Sequence, residues 1–239
     1  MNIPNDPIII AVDGPAGSGK SSICKKVCSK IGFYYINTGA IYRAISLLAL
    51  RENAPLTDTK QLLNLIQDFS ENFKWEGETG FLFYRNENLT LSLDGESTGN
   101  AASLIAKNSE IRDGLLPIQR KLASFAPKGA LLDGRDIGTV VFPNATVKIF
   151  MTASLEKRAQ RRLLQLQSCN PSDKIPTLME LKEDLKKRDK QDIERGIAPL
   201  VKAPGAIELD TSDIDLDKSV RSEEHTSELQ SPCNLVCRL

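Results

Sequence analysis

The sequence predicts an α/β fold in which a parallel central sheet lies between layers of helices, a three-layer α/β/α arrangement. Short apolar runs rich in β-branched residues recur, as at 7–13 and 146–152, and such runs are typical of strands buried on both faces. Helical patterns separate these runs, and strands that alternate with helices form βαβ units. A glycine-rich turn directly follows the first run and opens the first helix.

Three helices are predicted in the first third of the chain, and the second has Ile41, Ile45 and Leu48 at helical spacing. Thr38 is expected to cap the second helix, because a threonine hydroxyl can accept a hydrogen bond from a backbone N–H of the first turn. The predicted helices cover residues 20–31, 39–50 and 58–69.

A small antiparallel insert is predicted after the third helix. The runs FKW, FLFYR and LTLSL, at 73–75, 81–85 and 89–93, are strand-like and are separated by Gly and Asn turns. Alternating helices and strands then return, and Ser154 is the expected cap of one helix. The remaining predicted elements are helices over 100–125, 155–167 and 177–195, strands over 130–133, 146–152 and 206–210, and the start of a helix at 216–220.

Composition disfavours several classes of protein. The 31 Lys and Arg residues balance 31 Asp and Glu residues, whereas nucleic-acid-binding proteins usually carry a basic excess. No run approaches the roughly 20 apolar residues of a membrane-spanning helix, and the N-terminus lacks the basic region of a signal peptide. Cys24 and Cys28 are expected to be two small buried side chains. We therefore expect a cytoplasmic protein with neither a nucleic-acid nor a membrane partner. We also expect a monomer, although composition does not bear on this.

The end of the chain, RSEEHTSELQSPCNLVCRL, has no helical or strand period. It resembles the translation of a sequencing adapter, and residues 221–239 are therefore interpreted as a non-native tail. This tail holds the only histidine, His225, together with Cys233 and Cys237. We assign none of these three residues a catalytic or metal-binding role.

The turn after the first strand matches G-x-x-x-x-G-K-[ST], with Gly14, Gly19, Lys20 and Ser21 at the fixed positions. Glycines let the backbone wrap around phosphate oxygens, and the loop N–H groups and the helix N-terminus attract an anion. Lys20 is expected to reach the β- and γ-phosphates of a nucleotide, and Ser21 to offer its hydroxyl to Mg²⁺. This phosphate loop consists of Gly14, Pro15, Ala16, Gly17, Ser18, Gly19, Lys20, Ser21 and Ser22.

The phosphate loop does not by itself specify a function, because GTPase switches, motor ATPases and small-molecule kinases all carry it. The chain has no N-K-x-D guanine-reading motif, which disfavours a GTPase.

Four charged clusters lie outside the phosphate loop. One begins at a helix N-terminus, which favours an anion, and another follows a buried strand at the sheet edge where ligands bind in α/β folds. The other two lie on the helices after Ser154 and Thr177. The clusters comprise Thr38 and Arg43; Asp133, Arg135 and Asp136; Arg158, Arg161 and Arg162; and Arg188, Asp192 and Arg195.

The last cluster continues an apolar stripe, since Leu178, Leu181 and Leu185 share one helix face at spacings of three and four. Buried charges are costly unless they are paired or bind a ligand. The alternative is a helix that emerges into solvent, where its charges are simply hydrated. With three other arginine sites in the chain, we favour ligand binding. The charged residues on this face are Arg188, Asp192 and Arg195.

Several guanidinium groups suit phosphoryl transfer between two phosphorylated molecules. They clamp phosphates through paired hydrogen bonds, keep their charge, and align donor and acceptor. Acid–base or covalent chemistry by histidine is not expected, because the only histidine lies in the tail.

The segments GPAGSGKSS, NTGAIYRA, NAAS, LLDGRDIGTVVFPNATVKIFMTAS, RAQRRLLQLQ and KKRDKQDIERGIAPL resemble those of the bacterial cytidylate kinases, a branch of the P-loop nucleoside monophosphate kinases. The resemblance spans about residues 7–213. It implies phosphoryl transfer from ATP to CMP or dCMP, with Mg²⁺. It also implies a core at 1–69, 101–153 and 171–220, an acceptor-binding insert at 70–100 and a helical lid at 154–170.

The resemblance further implies which residues hold the acceptor nucleotide. They are Thr38, Arg43 and Arg135 for its phosphate; Ser103, Arg112 and Asp136 for cytosine; and Arg188 and Asp192 for the sugar, with Arg195 near base and phosphate.

The transfer itself is expected to depend on Lys20, on Arg135 and on the lid residues Arg158, Arg161 and Arg162, while Asp133 would assist Mg²⁺ through water. Two alternatives stay open. One is a P-loop kinase for another small molecule, and the other is a nucleotide-binding regulatory module with little turnover.

Overall fold

The computed structural model describes residues 7–76, 80–169 and 175–213. The predicted α/β fold is confirmed, since these residues contain a five-stranded sheet with parallel pairing and a three-stranded antiparallel sheet. The larger sheet has strands β1 (Ile8–Asp13), β2 (Tyr34–Asn37), β6 (Gly129–Gly134), β7 (Val147–Thr152) and β8 (Ile207–Asp210), and the smaller has β3 (Phe73–Glu76), β4 (Phe81–Tyr84) and β5 (Glu87–Asn88). The helices are α1 (Lys20–Ile31), α2 (Thr38–Arg51), α3 (Thr59–Asn72), α4 (Glu96–Ile105), α5 (Ser109–Ser124), α6 (Leu155–Cys169) and α7 (Leu178–Glu194).

The chain divides into two compact units. Within the described residues, the first comprises 7–9, 28–76 and 80–134, and the second comprises 10–27, 135–169 and 175–213.

In the first unit, β2 pairs in parallel with β6, so that Asn37 lies beside Asp133 where the strands end. Helix α2 buries an apolar face that includes Ile41 and Ile45, because residues four apart lie one turn above each other. Phe69 of α3 stacks on Phe73 at a centroid distance of 5.1 Å, which joins that helix to the antiparallel sheet.

In the second unit, β7 lies between β1 and β8, and all three strands are parallel. Asp13, Thr152 and Asp210 therefore end their strands at the same edge of the sheet. Helices α6 and α7 pack together through Ala159, Leu181 and Leu185. The edge with the three strand ends carries the phosphate loop.

The prediction of a strand over LTLSL is wrong, because residues Thr90–Asp94 form a 3₁₀ helix. A strand would place Leu89, Leu91 and Leu93 on one face. Instead Leu89 and Leu93 are buried while 91% of Leu91 is exposed. The alternation of leucine with threonine and serine imitates the strand period, whereas burial follows the four-residue spacing of a helical turn.

The prediction of one helix over 100–125 is also wrong, because α4 ends at Ile105 and α5 begins at Ser109. Asn108 caps α5, and its side-chain oxygen accepts hydrogen bonds from the backbone N–H groups of Glu110 and Ile111. The same side chain donates to Thr59 Oγ1 at 2.7 Å. Asparagine thus offers the backbone an alternative to a continuous helix.

Two further differences concern the start of α2. The strand β2 was not predicted, although Tyr35 and Ile36 are almost fully buried. The cap of α2 is Asn37, whose side chain accepts a hydrogen bond from the Ala40 N–H, and not Thr38. Thr38 is the first residue of the helix, and its hydroxyl donates to the backbone oxygen of Asp133.

The other helices and strands agree with prediction to within a few residues. The predicted cap Ser154 is confirmed, since its hydroxyl accepts a hydrogen bond from the N–H of Lys157. Thr177 caps α7 in the same way, although no cap was predicted there. Cys24 and Cys28 are buried as expected. The predicted helix start at 216–220 and the tail at 221–239 lie outside the described residues. No helix in the described part of the chain has the length and apolarity needed to span a membrane.

Candidate active site

The phosphate loop connects β1 to α1, and its shape requires glycine at two positions. Gly14 has a φ of +153°, and a Cβ there would lie 2.0 Å from the backbone oxygen of Met151. Gly17 has a φ of +76°, and a Cβ there would lie 3.1 Å from the Cβ of Arg158. Both positions therefore combine an unusual φ with a close neighbour, which only glycine tolerates without strain.

The ammonium group of Lys20 is held against the phosphate loop. Its Nζ donates to the backbone oxygens of Gly14 at 2.7 Å and Pro15 at 2.8 Å. Only 6% of the residue is exposed. A buried positive charge at the N-terminus of α1 creates a strong anion-attracting potential. A polyphosphate would offer this ammonium better acceptors than the two neutral carbonyl groups.

Asp13 directly precedes the phosphate loop, and its carboxylate accepts two backbone hydrogen bonds. The donors are the N–H groups of Ile137, at 2.7 Å from Oδ1, and of Gly138, at 2.8 Å from Oδ2. Burial raises the pKa of Asp13 to about 6, against the lowering effect of those two N–H groups. The negative charge of Asp136 also raises this pKa, while Lys20 lowers it.

A network of alternating charges joins the residues after β6 to the end of α7. We call it the charge network; it consists of Arg135, Asp136, Asp192 and Arg195. Arg135 Nε donates to Asp192 Oδ2 at 2.7 Å. Arg195 lies 3.8 Å from Asp136 and 4.0 Å from Asp192, measured between nitrogen and carboxylate oxygen. The side chains of Asp136 and Arg195 are only 10% and 8% exposed, so these charges interact in a partly desolvated setting.

The predicted change from an apolar to a charged stripe on α7 is confirmed. Leu181 and Leu185 are buried, and further along the chain Asp192 of α7 and Arg195, the residue that follows the helix, enter the charge network. Arg188 lies between the buried leucines and the residues of the charge network, and it is half-buried. These charges are therefore not those of a helix end that simply emerges into solvent.

Arg158 of α6 contacts the phosphate loop directly. Its guanidinium group donates to both carboxylate oxygens of Asp189, at 3.0 and 2.6 Å, and to the backbone oxygen of Ala16 at 3.2 Å. A further hydrogen bond reaches the backbone oxygen of Ala153. Arg158 thus joins α6, α7 and the loop, and 5% of the residue is exposed.

The other two arginines of α6 have different surroundings. Arg161 donates to the hydroxyl and to the backbone oxygen of Thr211, just beyond β8. The hydroxyl of Thr211 in turn donates to the backbone oxygen of Ser18 at 2.8 Å, which connects Arg161 to the phosphate loop. Arg162 donates to Gln165 on its own helix, in an exposed position.

The first unit contains the remaining predicted residues, and two of them, Thr38 and Asp133, meet at the end of β6. Thr38 Oγ1 donates to the backbone oxygen of Asp133 at 2.8 Å, and Tyr35 Oη donates to its Oδ2 at 3.0 Å. Asp133 itself is 2% exposed. The start of α2 and a buried carboxylate therefore lie together at the carboxyl ends of β2 and β6.

Helices α2, α4 and α5 carry the other three residues of this unit. The guanidinium carbon of Arg112 lies 5.7 Å from the ring centroid of Tyr42, a cation–π distance, and the residue is 8% exposed. Ser103 Oγ donates to the backbone oxygen of Gly99 at 3.1 Å. Arg43 is half-buried on α2.

A family model described as "Cytidylate kinase" matches residues 10–223. The chain belongs to the cytidylate kinase family. The match covers the phosphate loop, the charge network and the three arginines of α6 together.

Similar proteins carry the same family name. The cytidylate kinase of Shouchella clausii (strain KSM-K16) is 42% identical over 214 residues, which are 89% of this chain and 92% of that protein. The cytidylate kinase of Geobacillus kaustophilus (strain HTA426) is 42% identical over 89% of this chain and 93% of its own length. That of Exiguobacterium sp. (strain ATCC BAA-1283 / AT1b) is 42% identical over 92% and 96%.

The sequence reasoning missed three residues that hold this candidate site together. Asp13 could have been noticed, because a carboxylate that ends a buried apolar strand needs hydrogen-bond donors. Thr211 and Asp189 gave no comparable signal. A threonine after a strand and an aspartate on a highly charged helix are ordinary in sequence, and only the tertiary structure brings them to Arg161 and Arg158.

Proposed function

We propose that this protein transfers the γ-phosphoryl group of ATP to CMP or dCMP, giving ADP and CDP or dCDP. One observation supports this most: in a chain of this family, Arg135 and Asp136 of the charge network immediately precede the turn that Asp13 holds beside the phosphate loop. Phosphoryl transfer between two phosphorylated molecules requires a phosphate-binding loop and an array of guanidinium groups.

The donor side consists of the phosphate loop, residues 14–22. In our proposal ATP replaces the backbone carbonyls as the acceptor of the Lys20 hydrogen bonds, and the loop N–H groups bind the β- and γ-phosphates. A Mg²⁺ ion would supply charge neutralisation between those phosphates.

The oxygen ligands that Ser21 and Asp133 offer suit Mg²⁺, which prefers hard donors and keeps several waters. Among the described residues no group of three or more His, Cys, Asp or Glu side chains could hold a metal. Magnesium in phosphoryl-transfer sites needs no such cage, since one or two protein oxygens and the substrate phosphates hold it.

The acceptor side needs positioning more than acid–base chemistry. The second pKa of a phosphate monoester is about 6, so its oxygen is already an ionised nucleophile at neutral pH. In our proposal Thr38, Arg43 and Arg135 hold that phosphate. The other acceptor contacts we propose are Ser103, Arg112 and Asp136 to cytosine, and Arg188, Asp192 and Arg195 to the sugar and its surroundings.

The three arginines of α6 are assigned different parts in the transfer. Arg161 and Arg162 would turn toward the transferring phosphoryl group when residues 154–170 act as a lid. Arg158 already spans Asp189 and Ala16, and from there it would hold the loop in shape while its charge favours the developing negative charge. Residues 70–100 would close over the acceptor nucleotide.

Neither alternative function is favoured. A P-loop kinase for another small molecule would share the phosphate loop but not the full set of acceptor motifs that the family match covers. A regulatory module with little turnover would not require the charge network. We further propose that the protein acts as a cytoplasmic monomer, and that residues 221–239 take no part in catalysis.

A panel of acceptors tests the proposed function. The full chain and a chain that ends at residue 220 are each incubated with ATP, Mg²⁺ and CMP, dCMP, UMP, AMP or GMP, and ADP production is followed. We expect CMP and dCMP to be the best acceptors for both chains. Faster phosphorylation of AMP or GMP, or no ADP with any acceptor despite ATP binding, would overturn the proposal. Light scattering during size-exclusion chromatography tests the monomer.

A further inference from the structure

We propose that Asp13 is a positioning residue for the acceptor. Its carboxylate holds the turn that follows Arg135 and Asp136, and so fixes these two residues relative to the phosphate loop. This inference rests on the proposed function, because it concerns how the acceptor side of that reaction is built.

The geometry that supports this role begins with the turn itself. Residues Ile137–Val141 form a single π-helical turn. The first N–H groups of any helical turn lack partners within it. Here the N–H groups of Ile137 and Gly138 both point to Asp13, one to each carboxylate oxygen. Asp13 thus acts like a helix cap, but from a distant strand, 124 residues away in sequence.

Close packing leaves this turn little freedom once Asp13 holds it. A Cβ on Gly138 would lie 3.4 Å from Asp13 Oδ2 and 3.2 Å from the Cβ of Ala203. The side chain of Ile137 is fully buried. Because Arg135 and Asp136 immediately precede these two anchored residues, their backbone positions depend on the same two hydrogen bonds.

A carboxylate is needed because two donors converge on it. An asparagine offers one oxygen, and its amide N–H₂ would face the second backbone donor. The charged groups that act on Asp13 are Asp136, which opposes its ionisation, and Lys20, which favours it. Asp13 is 3% exposed, so it is not placed to exchange a proton with a bound nucleotide and its role is positional.

Asp13→Asn separates this role from general stabilisation. At pH 8, where both CMP and Asp13 are ionised, we expect kcat/KM for CMP to fall at least tenfold. ATP binding should stay within threefold of the wild type, because the variant leaves the phosphate loop unchanged. The negative charge that it removes near Lys20 opposes anion binding, so its loss should not weaken the binding of ATP. The matched control is Asp58→Asn, at a helix cap whose carboxylate also accepts a backbone N–H. This control should keep wild-type kinetics.

A spectroscopic measurement on the nucleotide-free wild-type protein covers the case in which Asp13→Asn does not fold. The amide proton shifts of Ile137 and Gly138 should titrate with an inflection near pH 6, and this inflection should be absent from a folded Asp13→Asn variant. Unchanged CMP kinetics in the variant, equal losses for ATP and CMP, or amide shifts that do not titrate would each overturn the inference. A wild-type protein that does not phosphorylate CMP would instead overturn the proposed function.

Discussion

Arg158 and Asp189 form a two-point ion pair, with hydrogen bonds of 3.0 and 2.6 Å between guanidinium and carboxylate. Their side chains are 7% and 19% exposed, so water screens the pair only weakly. Because Arg158 also donates to the backbone oxygen of Ala16, the pair connects α7 to the phosphate loop.

Asp189→Asn should therefore destabilise the fold. The variant leaves the Arg158 charge largely buried beside a neutral group, and breaking a buried pair on one side costs roughly 3–5 kcal/mol. Urea unfolding measures this loss. The control is Glu194→Gln on the same helix, since Glu194 lies 4.0 Å from Lys190 and both side chains are mostly exposed. The control should change the free energy of unfolding by less than about 0.5 kcal/mol. Equal effects of the two variants would contradict the role of the pair.

Arg188→Ala should weaken binding of CMP while ATP binding holds. Loss of a charge-assisted hydrogen bond of about 1.5–3 kcal/mol corresponds to a roughly 10- to 100-fold rise in KM for CMP. Lys187→Ala is the matched control, because Lys187 is the preceding residue of α7 and its side chain is 71% exposed. Steady-state kinetics with each substrate varied separate the two effects. If Arg188→Ala behaves like Lys187→Ala, then Arg188 is only a surface charge.

Gly14→Ala should disrupt the phosphate loop. The new Cβ would lie 2.0 Å from the backbone oxygen of Met151, and backbone atoms cannot move aside cheaply. We expect a loss of at least about 3 kcal/mol in unfolding free energy, together with loss of ATP binding. Gly196→Ala is the control, since a Cβ at that position would have no heavy atom within 4 Å. That variant should be neutral or slightly stabilising. Retained ATP binding in Gly14→Ala would show that the loop is more adaptable than its geometry implies.

Ionisation of Asp13 should lower the free energy of unfolding, so the fold should be less stable above pH 6 than at pH 4. Its pKa is raised from 3.8 to about 6, so between these values the folded state binds more protons than the unfolded state. Stability from this group therefore decreases as the pH rises from about 4 to 6, by at most about 3 kcal/mol. Urea unfolding at pH 4.5 and pH 8 tests the sign: Asp13→Asn should gain stability relative to the wild type on going to pH 8. If the difference in unfolding free energy between Asp13→Asn and the wild type is the same at both pH values, then burial does not raise the pKa of Asp13.

Elements with a strong local signal could be predicted from the sequence. The bounds of α1 agree with prediction because the G-x-x-x-x-G-K-[ST] spacing fixes where the loop ends and the helix begins. The charged end of the α7 stripe could be predicted too, since Leu181 and Leu185 define the inward face.

Features that depend on tertiary contacts could not be predicted. The break before α5 depends on Asn108, whose side chain both caps that helix and donates to Thr59. The 3₁₀ turn at Thr90–Asp94 depends on which leucines pack into the hydrophobic core. The sequence alone does not distinguish the exposed Leu91 from the buried Leu89 and Leu93. The two-donor site of Asp13 joins residues that are more than 120 positions apart.

The transfer of a labelled phosphoryl group tests the central claim most directly. The protein is incubated with Mg²⁺, CMP and ATP that is labelled at the γ-phosphate, and the products are separated. The proposed function predicts that the label appears as the β-phosphate of CDP, in equal amount to the ADP formed. Label recovered only as inorganic phosphate, or remaining in ATP while CMP is unchanged, would contradict it.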